Sequence, residues 1–477
     1  MKKWISVILC LSIALALAAC GGGASAPQTT GAQTTAAAES GHGFMVGYAR
    51  ADITPTKPML LWGYAQPPEG RYNNETMDYL YLTCVAITDA EDNTVLMFGA
   101  DLGDMEFSVA TAMRAAVEKA TDIPGSHMFF NATHTHSAPD CEKMVPELEK
   151  AAVKIAKEAL EDSKEATMHF GTANTSGVSF VRHYYEPNGA VVTDNHGNTS
   201  ATEFAGHTTE VDEEMRVLQF KREGGKDVVL VNWQCHPHMT GGALKTSISA
   251  DIVGMMRMYA EQELDCLFAY YQGGAGNLNP TSRIKSEEAN PDHNYKVTGQ
   301  LLADTAKKAL ANTTHVETGT IKVSSETFKC ASNVEDLDKV NIAQQVVNYY
   351  NEGHTTAEAK VYAESLGLAS YYHASHMLTR SKAASSYDLE ISVLTIGDFA
   401  WSMMPGEFFD STTKYIRDNS PYTYNFTAAY TNGYIGYFPS LECWEYGSYE
   451  SDTAKVARGE TEKVADRLVE MLGEHKN

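Results

Sequence analysis

The chain has 477 residues, 43% of them hydrophobic, with 61 acidic against 37 basic side chains and a formal net charge of −24. So acidic a balance argues against nucleic acid as a partner and against electrostatic adhesion to anionic lipid, and it is silent on fold. Eight cysteines without a CxxC spacing indicate neither a thiolate zinc site nor a small disulfide scaffold.

Lys2 and Lys3 open a leader whose apolar run, Trp4 to Ala19, ends in Leu17-Ala18-Ala19-Cys20. The run is too short to span a bilayer and has small residues before a cysteine, so residues 1–20 read as a lipoprotein signal peptide of the bacterial lipobox kind, with Cys20 as the lipidated first mature residue. An ordinary signal peptide that happens to contain a cysteine is the alternative. Residues 21–43 are Gly-, Ser-, Thr- and Ala-rich, carry a single acid at Glu39, and form a flexible tether whose reach is on the order of 25 Å. The expected location is therefore extracytoplasmic, on the bacterial cell membrane, with the lipid as the only membrane contact. Residues 44–477 show no internal repeat and no second linker, which favours one domain.

Within it the apolar runs Leu80–Thr88 and Thr94–Asp101 flank a polar turn and predict a hairpin. Glu106–Ala120 has helical spacing, and His127–Ala132 is a short strand. Pro146–Leu160 is a second helix, its proline in the first turn where a missing N–H costs nothing. Met215–Lys221 and Asp227–Asn232 form another hairpin around Glu223-Gly224-Gly225-Lys226. Helices near 253–263 and 295–310 enclose a strand at 266–271. Residues 334–380 read as a polar helical insertion. Leu389–Met404 is two strands around Gly397-Asp398, and a helix near 453–474 closes the chain. Hairpins among helices predict stacked sheets covered by helices.

Four segments gather chemistry, each at the end of a predicted strand, where functional groups tend to collect. In Asn131-Ala132-Thr133-His134-Thr135-His136-Ser137-Ala138-Pro139, His134 and His136 stand two apart and face one side of an extended segment. Imidazole is the commonest metal ligand, although the pair alone is a weak signal. A metallo-β-lactamase site would continue with Asp-His, and Ser137-Ala138 stand there. His236, in Trp233-Gln234-Cys235-His236-Pro237-His238, is either a ligand or a hydrogen-bonded turn histidine. Glu407 follows Pro405-Gly406 and could equally cap the next helix. Tyr430–Tyr449 is dense in tyrosines, which in such runs are usually half-buried packing. Two imidazoles and a carboxylate match the protein ligands of hydrolytic zinc, which leaves a position open for water. The glycines Gly273, Gly274 and Gly276 lack the Lys-Ser/Thr of a phosphate loop and read as a tight turn.

The order of these motifs resembles the neutral/alkaline, non-lysosomal ceramidase family across nearly all of 44–450. Val46-Gly47 through Asp52-Ile53-Thr54-Pro55, Trp62-Gly63-Tyr64-Ala65, Asn131–Pro139, Val211–Met215, Trp233–Pro237, Ser249–Asp251, Pro405–Glu407, and Gly436-Tyr437 with Ser448-Tyr449-Glu450 are its counterparts. The resemblance implies an α/β fold, a four-layer α-β-β-α sandwich, and zinc held by His134, His236, Glu407 and Tyr437. It implies His136, Arg182 and Tyr449 as catalytic neighbours that contact substrate, stabilise the oxyanion and deliver a proton. It further implies hydrolysis of an N-acyl amide or an ester by a metal-activated water, with a small-molecule or lipid-like substrate. Asn279 stands where the family has a serine once assigned as nucleophile, which rules out a serine-acyl mechanism at that position. The family also continues into a C-terminal β-rich domain, which is expected to be absent because the sequence ends 27 residues after Glu450. The same chemistry on a different N-acyl or cell-wall substrate, and a catalytically inactive lipid-anchored binding protein, are the alternatives.

Overall fold

The computed structural model describes residues 43–64, 70–193, 205–242, 245–281 and 291–476. The leader, Cys20, the tether as far as residue 42, and Ala65 lie outside them.

Strands β1 (Met45–Asp52), β2 (Tyr81–Thr88) and β3 (Thr94–Ala100) form an antiparallel meander, with Met45 opposite Thr88 and Leu82 opposite Ala100. The β2–β3 turn is set by Asp89, whose carboxylate accepts from the N–H groups of Glu91 and Asn93 at 2.9 and 2.8 Å. This is the local bond that makes aspartate a turn former. β2 and β3 are buried almost end to end, so their apolar runs are continuous rather than alternating. β4 (Met128–Ala132), β5 (Lys164–Asn174), β6 (Glu214–Arg222), β7 (Val228–Trp233), β8 (Leu267–Gln272) and β9 (Thr314–Val316) complete a nine-stranded sheet. Its order is β8-β7-β6-β5-β1-β2-β3-β4, with β9 on β5. The terminal pairs β3–β4 and β7–β8 are parallel and the others antiparallel.

Helices α1 (Phe107–Thr121), α2 (Val145–Glu161), α3 (Asp251–Leu264) and α4 (Pro291–Leu310) cover one face of this sheet. Val109, Met113, Leu148 and Ile155 pack on Leu82, Cys84, Leu96 and Phe98, and Val253, Met256, Leu302 and Ala306 pack on Val217, Val231 and Phe268. The other face meets a four-stranded sheet of β10 (Ile321–Ala331), β11 (Ser386–Ile396), β12 (Phe399–Met403) and β13 (Tyr424–Ala428). Between the sheets Trp401 meets Tyr271 edge-on at 4.6 Å, with Val46, Phe129, Leu230, Leu394 and Phe426 around them. Each such fully buried large apolar side chain contributes about 1.5–3 kcal/mol. Helix α11 (Glu460–Lys476) covers the small sheet from outside, Val464, Leu468 and Leu472 lying on Leu389, Ile391 and Val393. The layers therefore run helix, sheet, sheet, helix, the expected sandwich. Ser40–Asn477 forms one compact unit.

In the polar stretch 334–380 stand α5 (Val340–Asn351), α6 (Thr356–Ser365) and α7 (Tyr371–Arg380), which share a small core of Ala343, Val346, Ala363, Ala374 and Met377. Helix α8 (Asp410–Asp418), α9 (Leu441–Tyr446) and α10 (Tyr449–Thr453) complete the set. The closing helix expected at 453–474 is α11, which begins only at Glu460, after a segment containing Gly459 at φ 85°. Cys84, Cys141, Cys235, Cys266, Cys330 and Cys443 are all free and buried. No helix among the described residues is long and apolar enough to cross a membrane.

Candidate active site

The site forms where β4, β7 and the short strand Glu407–Phe408 end. His134 follows β4 in a left-handed conformation, φ 68°, uncommon for a residue with a side chain. Its backbone N–H donates to the Leu102 carbonyl at 2.9 Å, and its Nδ1–H donates to the Gly103 carbonyl at 2.6 Å. His236 follows β7, and its Nδ1–H donates to the carbonyls of Ala275 and Leu278 at 2.7 and 3.0 Å. A carbonyl only accepts, so each neutral ring carries its proton on Nδ1 and turns an Nε2 lone pair into the site.

Glu407 is delivered by a turn that requires glycine. Gly406 has φ 106°, and a Cβ there would stand 2.7 Å from the Gly436 carbonyl oxygen and 2.8 Å from the Phe438 ring. Glu407 pairs in parallel with Tyr437, its N–H donating to the Gly436 carbonyl at 2.8 Å. The Tyr434 hydroxyl donates to Oε1 of Glu407. Oε2 lies 3.3 Å from His134 Nε2 and 3.2 Å from His236 Nε2. Glu407 therefore does not cap a helix; α8 begins three residues later behind Phe409.

These three atoms fit a metal ion. Ligand atoms about 2.0–2.1 Å from a tetrahedral zinc lie about 3.3 Å from one another, which is the separation of Glu407 Oε2 from each Nε2. Oε2 of Glu407 and Nε2 of His236 are buried without a hydrogen-bond partner among the described residues. A carboxylate oxygen facing two lone pairs in a closed site calls for a cation.

His136 belongs to the same imidazole group, its Nε2 3.2 Å from that of His134. Metal-bound histidines almost always donate their other ring N–H to a carbonyl or carboxylate. His134 and His236 do so, whereas His136 Nδ1 is buried without a partner. His136 is instead held by ring packing, edge-on to Trp62 and Tyr64 at 5.1 and 5.2 Å. Burial and the neighbouring imidazoles lower its pKa well below the usual histidine value, and burial with Arg182 brings His236 to about 3.

The remaining expected residues converge on the same place. Arg182 donates from Nε to Glu450 Oε1 at 2.6 Å, from Nη1 to Asn279 Oδ1 at 3.3 Å, and from Nη2 to the Tyr437 hydroxyl at 3.2 Å. Behind it His183 Nε2 donates to Glu450 Oε2 at 2.7 Å, and the Tyr446 hydroxyl donates to His183 Nδ1 at 2.9 Å. Burial works against both charges of the pair, yet Arg182 and His183 keep the Glu450 carboxyl well below the carboxylate range. Tyr449 stands edge-on to Tyr437 at 5.6 Å, and burial raises both phenols far above their usual value. Asn279 faces this group, its Oδ1 also accepting from His238 Nε2 at 3.0 Å.

Gln272, which the sequence did not single out, ties the histidine segments together. Its N–H donates to Asn131 Oδ1 at 2.8 Å, and its side-chain amide donates to the carbonyls of Thr133 and Cys235 at 2.9 and 2.8 Å. Asn131 in turn donates to Thr431 Oγ1 at 3.0 Å, and Asn232 to the Thr427 carbonyl at 2.9 Å, joining the two sheets. A lone polar residue closing an apolar strand was the available signal for Gln272. Tyr434, edge-on to Trp62 at 5.7 Å, was hidden in the tyrosine-dense run, while Trp62 entered only as part of a family motif with no role given. The tight turn 273–276 also has a packing role: Cβ atoms on Gly274 and Gly276 would stand 2.5 Å from the carbonyl oxygens of Phe409 and Glu407.

No family model and no curated protein matches the chain. Among solved structures, neutral ceramidase from Pseudomonas aeruginosa superposes with a TM-score of 0.69 at 16% identity, over 90% of this chain and 74% of that one. A ceramidase complexed with C2 superposes with a TM-score of 0.69 at 15% identity, over 91% of this chain and 75% of that one. The fold is ceramidase-like and its sequence is divergent.

Proposed function

From this fold and this site, we propose that the chain is a zinc-dependent hydrolase of an N-acyl amide bond, exported and held at the bacterial membrane by a lipid on Cys20. The observation that carries the reading is the arrangement of two Nδ1-anchored imidazoles around one buried carboxylate oxygen that has no hydrogen-bond partner among the described residues. His134, His236 and Glu407 would hold the zinc, with Tyr437 as the fourth protein ligand beside Glu407. Bound there, zinc would supply a water acidified to a pKa of about 7 and a Lewis acid for the scissile carbonyl.

The surrounding side chains supply orientation and proton movement. His136, neutral at pH 7 because it is buried among imidazoles, accepts a proton from the attacking water and passes it to the leaving amine. Arg182 is fixed by Glu450 and offers its Nη edge to charge developing on the carbonyl oxygen. Tyr449, kept as a neutral phenol by burial, donates a hydrogen bond to the same oxygen. Asn279 has no nucleophilic atom, so the attacking group is water.

The test is metal content. Purified protein should carry about one zinc per chain and Glu407→Gln much less, and the loaded protein should hydrolyse members of an N-acyl panel that includes ceramide. Wild type with no stoichiometric metal after preparation without chelator would overturn the proposal.

A further inference from the structure

The amino-acid order of α7 divides it into two unlike faces. At about 100° per residue, Tyr372 and His376 lie about 40° apart, while Ala374 and Met377 fall on the other side. Ala374 and Met377 are buried in the small core shared with α5 and α6. A helix at the rim of a protein should turn its opposite face to water, yet α7 packs this one inward on α10. Tyr372 meets Tyr449 edge-on at 5.7 Å, and His373 Nδ1 lies 3.9 Å from Asp452. Tyr372 also acts electrostatically on Tyr64, the ring that supports His136, and Glu407 acts on His376. Nδ1 of His376 is fully buried and has no hydrogen-bond partner among the described residues. A buried ring nitrogen without a partner loses its water and gains nothing in return, unless a bound molecule supplies the missing bond.

We propose that α7 forms a wall of the reaction chamber and that His376, backed by Tyr372, binds a hydroxyl of the substrate beside the scissile amide. The proposal rests on the hydrolase reading of the same site. A hydroxyl is the natural complement because it can both donate and accept, and so satisfies Nδ1 in either tautomer. The burial that holds the His376 imidazole neutral, its pKa near 4, suits an uncharged partner. His376 is thereby a specificity residue: it selects among N-acyl compounds by their heads and leaves the metal ligands untouched.

The test compares two probes that differ by one hydroxyl, N-octanoylethanolamine and N-ethyloctanamide, titrated calorimetrically into the zinc-loaded full chain. Wild type should prefer the hydroxylated probe by about tenfold or more, as sites that hydrogen-bond a substrate hydroxyl do. His376→Ala should erase that preference while its affinity for N-ethyloctanamide changes by less than about threefold. His376→Asn, which restores a polar atom near the Nδ1 position, should recover part of it. Equal affinities in wild type, binding of neither probe, or an unchanged preference in His376→Ala would each overturn the proposal. Turnover of N-acyl substrates with no His376-dependent preference would sink this inference and leave the hydrolase standing. A His376-dependent preference without turnover would do the reverse.

Discussion

Replacing Glu407 with glutamine should reverse the order of stability between the metal-free and the zinc-loaded protein. In the metal-free chain Oε2, on a residue only 2% exposed, faces the Nε2 atoms of His134 and His236 at 3.3 and 3.2 Å. His236 is neutral at pH 7, its pKa held near 3, and both rings have committed their protons to carbonyls. A buried acceptor denied a donor costs about 1–3 kcal/mol, and more when it is charged. Glutamine removes the charge and can place an amide N–H between the two lone pairs, while its oxygen still accepts from Tyr434. The variant in chelator should therefore be about 2 kcal/mol more stable than wild type in chelator. Zinc at one hundred times its dissociation constant should add about 2.7 kcal/mol to wild type and almost nothing to the variant. Urea unfolding followed by tryptophan fluorescence, with and without zinc, reads both differences as midpoint shifts at constant slope. A variant less stable than wild type in chelator, or one that gains the same increment from zinc, would refute the reasoning.

Tyr434→Phe removes the donor to the other oxygen of Glu407, and zinc affinity should fall at least tenfold with the fold retained, as measured by competition with a chelating dye. Gln272→Leu leaves the Thr133 and Cys235 carbonyls without their partner and should cost about 2–4 kcal/mol in urea unfolding, with loss of zinc. The Asp452 carboxyl is raised to about 7 by burial and the nearby Glu450. Its contribution to stability is greatest below the unfolded value of about 3.9 and is lost as pH rises through about 7. Asp452→Asn should therefore match wild type near pH 4 and exceed it by about 2 kcal/mol at pH 8, after allowance for the partial exposure of the side chain; equal midpoints at both pH values would contradict this.

The segments that converge on the site were legible in the sequence because each sits at the exit of a strongly apolar strand. The hairpin 80–101, the helices 106–120 and 146–160, and the strand carrying His236 all stand within a few residues of where periodicity puts them. β5 and β10 were missed because polar residues interrupt them throughout, so neither carries the continuous apolar run that marks the other strands. The roles of Gln272, Asn131 and Asn232 were not legible for another reason, although Gln272's polarity at the end of an apolar strand was a signal. A buried amide is recognised by what it bonds to, and its partners lie in other segments. Tyr434 could not be separated from Tyr430 and Tyr437 by composition, since only Tyr434 places its hydroxyl on Glu407.

The threads that hold the site join parts of the chain made far apart in time. The Phe130 N–H donates to Asn432 Oδ1 across 302 residues, Asn131 reaches Thr431 across 300, and Thr427 reaches Asn232 across 195. His134 emerges early in synthesis and Glu407 late, so no partial chain ending before the second sheet can chelate an ion with this set. If the site takes up metal as proposed, that competence arrives in a single late step, when the last strands dock, and a stalled or clipped polypeptide would lack it.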